Sequence, residues 1–128
     1  MKIIRQTYNI NAPIERVWRA LVDPQIIDQW GGGPVKMSAK EEEEFEFWGG
    51  DIYGKNTKVV KEKELVQEWR SKELKEPTKV TFKLKAEGNK TKLELIHENL
   101  PDDQAKNFDD GWRNYFLGPL KELVEKGK

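Results

Sequence analysis

Apolar and polar positions alternate imperfectly from Ile3 to Ile10, which predicts an opening strand. Pro13 then opens a helix, because a proline at the first helical position loses no intrahelical hydrogen bond. Ile14, Val17, Trp18 and Leu21 follow at helical spacing and form one apolar stripe. Asp23-Pro24 ends that helix and starts a second, with Asp23 as N-cap. The second helix carries Ile26, Ile27 and Trp30 and stops at Gly31-Gly32-Gly33-Pro34.

From Val35 to Leu100 the period shortens to that of strands. Phe45 and Phe47 sit two apart beyond the acidic run Glu41 to Glu44, and Trp48-Gly49-Gly50-Asp51 predicts a tight turn into Ile52 and Tyr53. Val59 and Val60, then Leu65, Val66 and Trp69, predict two strands joined near Lys61 to Lys63. Val80, Phe82 and Leu84 alternate with Thr81, Lys83 and Lys85, giving one dry face and one wet face. The turn Glu87-Gly88-Asn89-Lys90 leads to a partner strand with Leu93, Leu95 and His97 on one parity. That parity turns His97 inward.

Leu100-Pro101-Asp102-Asp103 marks the start of a long last helix, in which Phe108, Trp112, Tyr115, Phe116, Leu120 and Leu123 share a stripe. Gly118-Pro119 predicts a kink or local break, since Pro119 offers no N–H to the Tyr115 carbonyl. Lys126-Gly127 supplies an ordinary helix end. One apolar helix and a run of half-wet strands bury their faces together if the sheet curls around the helix. The expected fold is α+β, a helix-grip arrangement. Its curved antiparallel sheet has about six or seven strands, and two short helices follow the first strand.

Length and charge narrow the function. The 128 residues suit one domain spanning 1–128. With 23 basic and 23 acidic side chains, the chain lacks the basic excess of a nucleic-acid binder or a polybasic membrane-surface protein. No segment reaches transmembrane length and the N-terminus has no signal-peptide core, so a cytoplasmic protein without membrane insertion is expected. The absence of cysteine removes disulfides, thiolate metal sites and Cys nucleophiles, and one histidine cannot build a multi-histidine metal site. No cofactor is expected.

The stretch Asn11-Ala12-Pro13-Ile14-Glu15-Arg16-Val17-Trp18-Arg19-Ala20-Leu21, followed by Asp23-Pro24 and Trp30, resembles the start of the START-like, birch-pollen-allergen-like superfamily (SRPBCC). Leu65 to Arg70, Thr91 to Pro101, Gly111 to Phe116 and Leu120 to Leu123 narrow the resemblance to the activator of heat-shock protein 90 ATPase homologue family, as a stand-alone single-domain member. The resemblance implies a helix-grip fold with Trp30, Trp69, His97 and Trp112 around its inner face. It is compatible with more than one function.

The aromatic set is the strongest chemical feature. The expected site is a cavity between sheet and last helix lined by Trp30, Phe47, Trp69, Phe82, Leu95, His97, Trp112, Tyr115 and Phe116. An empty apolar void of about 300 Å³ would cost about 7 kcal/mol, against a total stability of about 5–15 kcal/mol. The five tryptophans therefore predict a small, partly filled pocket. His97 is either a neutral polar handle at the pocket wall or a core histidine satisfied by a backbone carbonyl or Tyr115. The run Glu41 to Glu44 suits a solvated edge strand. Asp102/Asp103 and Asp109/Asp110 suit a helix start rather than an acid–base pair. Gly54-Lys55-Asn56 stops short of a phosphate loop, and neither Ser38 nor Ser71 sits in a nucleophile elbow.

No catalytic residue or metal site is expected. Three functions follow in order: non-enzymatic binding of a small hydrophobic or amphipathic ligand; a co-chaperone contact that stimulates a heat-shock protein 90 ATPase in the stress response; and a cyclase or hydrolase using His97.

Overall fold

The structure, a computed structural model, describes residues 1–126, so the Gly127 half of the expected helix end lies outside the described residues. Strand β1 (Lys2–Ile10) is followed by helices α1 (Ile14–Val22) and α2 (Pro24–Trp30). Then come β2 (Glu44–Phe47), β3 (Ile52–Val60), β4 (Glu64–Ser71), β5 (Thr78–Glu87) and β6 (Lys90–Leu100). The six strands form one antiparallel sheet in the order β1-β6-β5-β4-β3-β2. The C-terminal helix runs as α3 (Ala105–Gly111), a widened turn (Trp112–Phe116) and α4 (Leu117–Lys126). Sheet and helix form the expected helix-grip fold.

Local chemistry explains the boundaries. Pro13 sits at the N-cap of α1, one place before the first helical residue, and its carbonyl accepts from the Arg16 and Val17 N–H groups. The Asp23 carboxylate accepts from the Gln25 N–H at 2.9 Å and so caps α2, while Gly31 ends that helix at φ +104°, where a side chain would be strained. Strand register then sets the faces. Val80 pairs with His97, Phe82 with Leu95 and Leu84 with Leu93, so the inner face of the β5–β6 hairpin is one continuous apolar strip interrupted by an imidazole. On the next strand β4 turns Leu65, Gln67 and Trp69 to the same side, opposite Phe82, Val80 and Thr78. The acidic run feeds β2, an edge strand whose Glu44 is exposed, which fits charge guarding a free edge.

The C-terminal helix lies along this inner face. Trp112 stacks on Trp69 at 4.6 Å, and Phe116 packs against Phe47 at 5.1 Å and Phe82 at 5.8 Å. Gln6 pins the helix to β1, donating from Nε2 to the Asp109 carbonyl (3.0 Å) and carboxylate (2.8 Å).

The expected break at Gly118-Pro119 does not occur there. Residues 117–126 stay helical and the irregularity lies one turn earlier, where the Leu117 N–H bonds to the Trp112 carbonyl five residues back. In a regular helix the Pro119 ring would press on the Tyr115 carbonyl, and the wide turn accommodates it. The same turn explains Gly118. A Cβ there would stand 1.9 Å from the Arg113 carbonyl oxygen. Gly118→Ala is therefore expected to cost about 2 kcal/mol and to lower Tm by about 8 °C in thermal unfolding. An unchanged Tm would mean that the turn reverts to ordinary helical spacing.

Candidate functional site

Two arrangements lie where helix and sheet meet: a sealed polar relay and an open aromatic cleft. The relay begins at Trp112, whose Nε1–H donates to His97 Nδ1 at 3.1 Å. Because that nitrogen accepts, the neutral ring carries its proton on Nε2, which donates to Thr78 Oγ1 at 2.8 Å. Thr78 donates onward to the Trp69 carbonyl at 3.1 Å. A second relay runs from Trp69 Nε1 to Gln67 Oε1 (2.8 Å), from Gln67 Nε2 to Asn56 Oδ1 (2.9 Å), and from Asn56 Nδ2 to the Ser38 and Lys40 carbonyls. Among the described residues no buried side-chain nitrogen or oxygen lacks a partner.

His97 is fully buried, and burial lowers its pKa to about 3, so it is neutral at physiological pH. Both ring nitrogens are spent on Trp112 and Thr78. The imidazole therefore has no atom to offer a substrate, and its partners are not the backbone carbonyl or Tyr115 that the sequence suggested.

The cleft is open to solvent and holds about 260 Å³. Trp69, Trp112 and Phe116 form its buried floor, while Trp48, Phe108 and Tyr115 form its walls and mouth. Glu73, Gln104 and Asn107 supply polar edges. Trp48 is fixed in the turn after β2 by a hydrogen bond from its Nε1 to the Gly31 carbonyl at 2.8 Å. Apolar walls with a few polar groups are the usual make-up of a small-molecule site, although this volume suits only a small occupant.

The structure redistributes the expected cavity wall. Trp30, Phe47, Phe82, Leu95 and His97 are closed core and do not line the cleft. Large aromatic rings meet across the gap between helix and sheet, as between Phe47 and Phe116 at 5.1 Å, while Trp30 closes on Phe116 from α2 at 4.5 Å, and together they fill the space an enclosed cavity would need. Trp69, Trp112 and Phe116 do line the cleft, from below. Tyr115 lies at its mouth and is 68% exposed, because the widened turn advances less per residue than the ~100° of an α-helix and swings residue 115 off the buried stripe. Asp109 lies in the second turn of the C-terminal helix, near its start as expected. Burial works to raise its pKa, but the hydrogen bonds from Gln6 and Arg113 and the nearby cationic charges win and hold it low.

Sequence reasoning missed Trp48 and Glu73 as cleft residues. The tryptophan inside a two-glycine turn was a usable signal, since such a turn lifts the side chain off the sheet; nothing local marked Glu73. Phe108, already in the helix stripe, lies one turn before Trp112.

Comparison with known proteins places this geometry. Residues 11–125 match the profile of the family described as "Activator of Hsp90 ATPase homolog 1-like protein". The human activator of 90 kDa heat shock protein ATPase homolog 1 is 22% identical over 115 residues, covering 88% of this chain and 34% of that protein. The chain spans little more than a third of the length of the curated relatives it matches. The crystal structure of an HSP90 activator from Plasmodium falciparum overlays with a TM-score of 0.89 at 22% identity, covering 97% of this chain and 96% of that one. The solution structure of the Aha1 dimer from Colwellia psychrerythraea overlays with a TM-score of 0.84 at 22% identity, covering 100% and 99% of the two chains. At these identities the overlays establish the shared fold.

Proposed function

The chain belongs to the Activator of Hsp90 ATPase homolog 1-like family, and from that footing we propose that it is a non-enzymatic, single-domain binding module that takes a small apolar or amphipathic molecule in its aromatic cleft. The observation that carries this reading is the convergence of Trp48, Trp69, Phe108, Trp112, Tyr115 and Phe116 on one solvent-open hollow. An exposed tyrosine and a half-buried tryptophan at the mouth keep apolar area in water, and an occupant that covers it gains the corresponding burial energy. A hydrolase or cyclase working through His97 finds no support, because that ring is sealed and fully bonded. No helix among the described residues is long and apolar enough to cross a membrane, which accords with a proposed cytoplasmic location.

The test is a fragment screen read by the indole N–H resonances of the five tryptophans. Binding in the cleft is expected to shift Trp48, Trp69 and Trp112 while leaving Trp18 and Trp30 in place. A screen in which none of those three moves overturns the reading.

A second reading rests on the relatives: a co-chaperone contact with a heat-shock protein 90, in which the same exposed aromatics meet a protein partner. It is tested by adding the chain to such an ATPase. Faster turnover supports it and an unchanged rate rejects it.

A further inference from the structure

We propose that the cleft selects a small organic cation, an aryl- or alkylammonium headgroup, over neutral and anionic molecules of the same shape. The inference rests on the cleft-binding reading above and adds the charge of the occupant. Among the described residues that line the hollow, Glu73 alone carries a formal charge at neutral pH, and no lysine or arginine lines it. The remaining walls are mainly aromatic: Trp48, Trp69, Phe108, Trp112, Tyr115 and Phe116. Ring faces carry negative potential and attract cations, most strongly on tryptophan. The Glu73 carboxylate is oriented rather than free to sweep, because Ser71, itself buried, donates from Oγ to Glu73 Oε2 at 3.0 Å. An anion would meet this carboxylate and the aromatic walls, with only the uncharged side-chain donors of Gln104, Asn107 and Tyr115 to compensate. A neutral isostere would bury the same area without the electrostatic gain.

The experiment compares three probes with the intact chain by indole N–H shift titration: phenyltrimethylammonium, its uncharged isostere tert-butylbenzene, and 4-tert-butylbenzoate. The cation is expected to bind about tenfold more tightly than the neutral isostere, with the benzoate weakest. Glu73→Gln is expected to weaken the cation about threefold and leave tert-butylbenzene unchanged; Glu73 is exposed, so the substitution leaves the core untouched. Trp48→Leu is expected to weaken the cation more than the neutral probe. Equal affinity for cation and isostere, or a cation affinity that Glu73→Gln does not change, overturns the charge inference while the cleft remains a binding site. Failure of all three probes to move Trp48, Trp69 and Trp112 removes both the cleft reading and this one.

Discussion

Trp112→Ala is expected to cost about 5 kcal/mol, most or all of the stability of a domain this size. The indole is 2% exposed. It stacks on Trp69 at 4.6 Å and meets Phe116 at 4.8 Å and Phe82 at 5.6 Å, so truncation opens a hole bounded by rigid rings that cannot collapse into it. Removal of the side chain also strands His97 Nδ1, a buried acceptor whose lost partner costs a further 1–3 kcal/mol or about that. Trp112→Phe separates the two effects: it keeps much of the ring area, removes the donor, and is expected to cost about 2 kcal/mol. Urea unfolding followed by far-UV circular dichroism checks both. A Trp112→Ala protein within about 1 kcal/mol of the parent would show that the helix–sheet interface does not depend on this ring.

Acid is expected to unfold the protein chiefly through His97. The imidazole titrates near 6.5 in an unfolded chain, whereas burial lowers it to about 3 in the folded one. Between those values the unfolded state binds the proton and the folded state does not. The contribution is therefore complete above pH 6.5 and is lost progressively as pH falls towards 3. At pH 4 the loss is about 3 kcal/mol. His97→Gln keeps an acceptor for Trp112 and a donor for Thr78 without a group that titrates in this range, so its urea midpoint is expected to change much less between pH 7 and pH 4. Two carboxylates held below their ordinary range also release stability on acidification. Glu125 accepts from the Asn11 N–H and the Lys121 ammonium, and in Asp109 the Gln6 and Arg113 hydrogen bonds outweigh the effect of burial. Both remain in the variant, so the difference between the two proteins isolates the imidazole. Equal midpoint losses in parent and variant would assign the acid sensitivity elsewhere.

The period of the chain carried the architecture because strand parity and helix stripe are local consequences of which face is buried. Leu93, Leu95 and His97 share a parity, and register with Val80, Phe82 and Leu84 follows from a two-residue alternation that a slip would invert. The site was less legible, since a cleft is made by segments distant in sequence. Trp48 comes from a turn, Glu73 from the loop between β4 and β5, and Phe108 from the last helix. Composition alone could not separate aromatic residues that fill a core from those that leave a hollow, because that depends on how many rings converge at one level. Trp30 and Phe47 converge on Phe116 and close the space, while Trp48 reaches Phe116 only edge-on at 6.3 Å and Tyr115 stands exposed at the rim. Tyr115 was misplaced for a single reason: an assumption of even helical spacing fails across a turn that contains an extra residue.

That extra residue has an evolutionary consequence. Position 115 projects away from the packed interior while its neighbours 112 and 116 are clamped within it. Mutational drift at 115 can therefore remodel what the hollow accepts at almost no risk to folding. Related chains that share this bulged helix are expected to diversify there first, with the imidazole–indole tie behind it held constant.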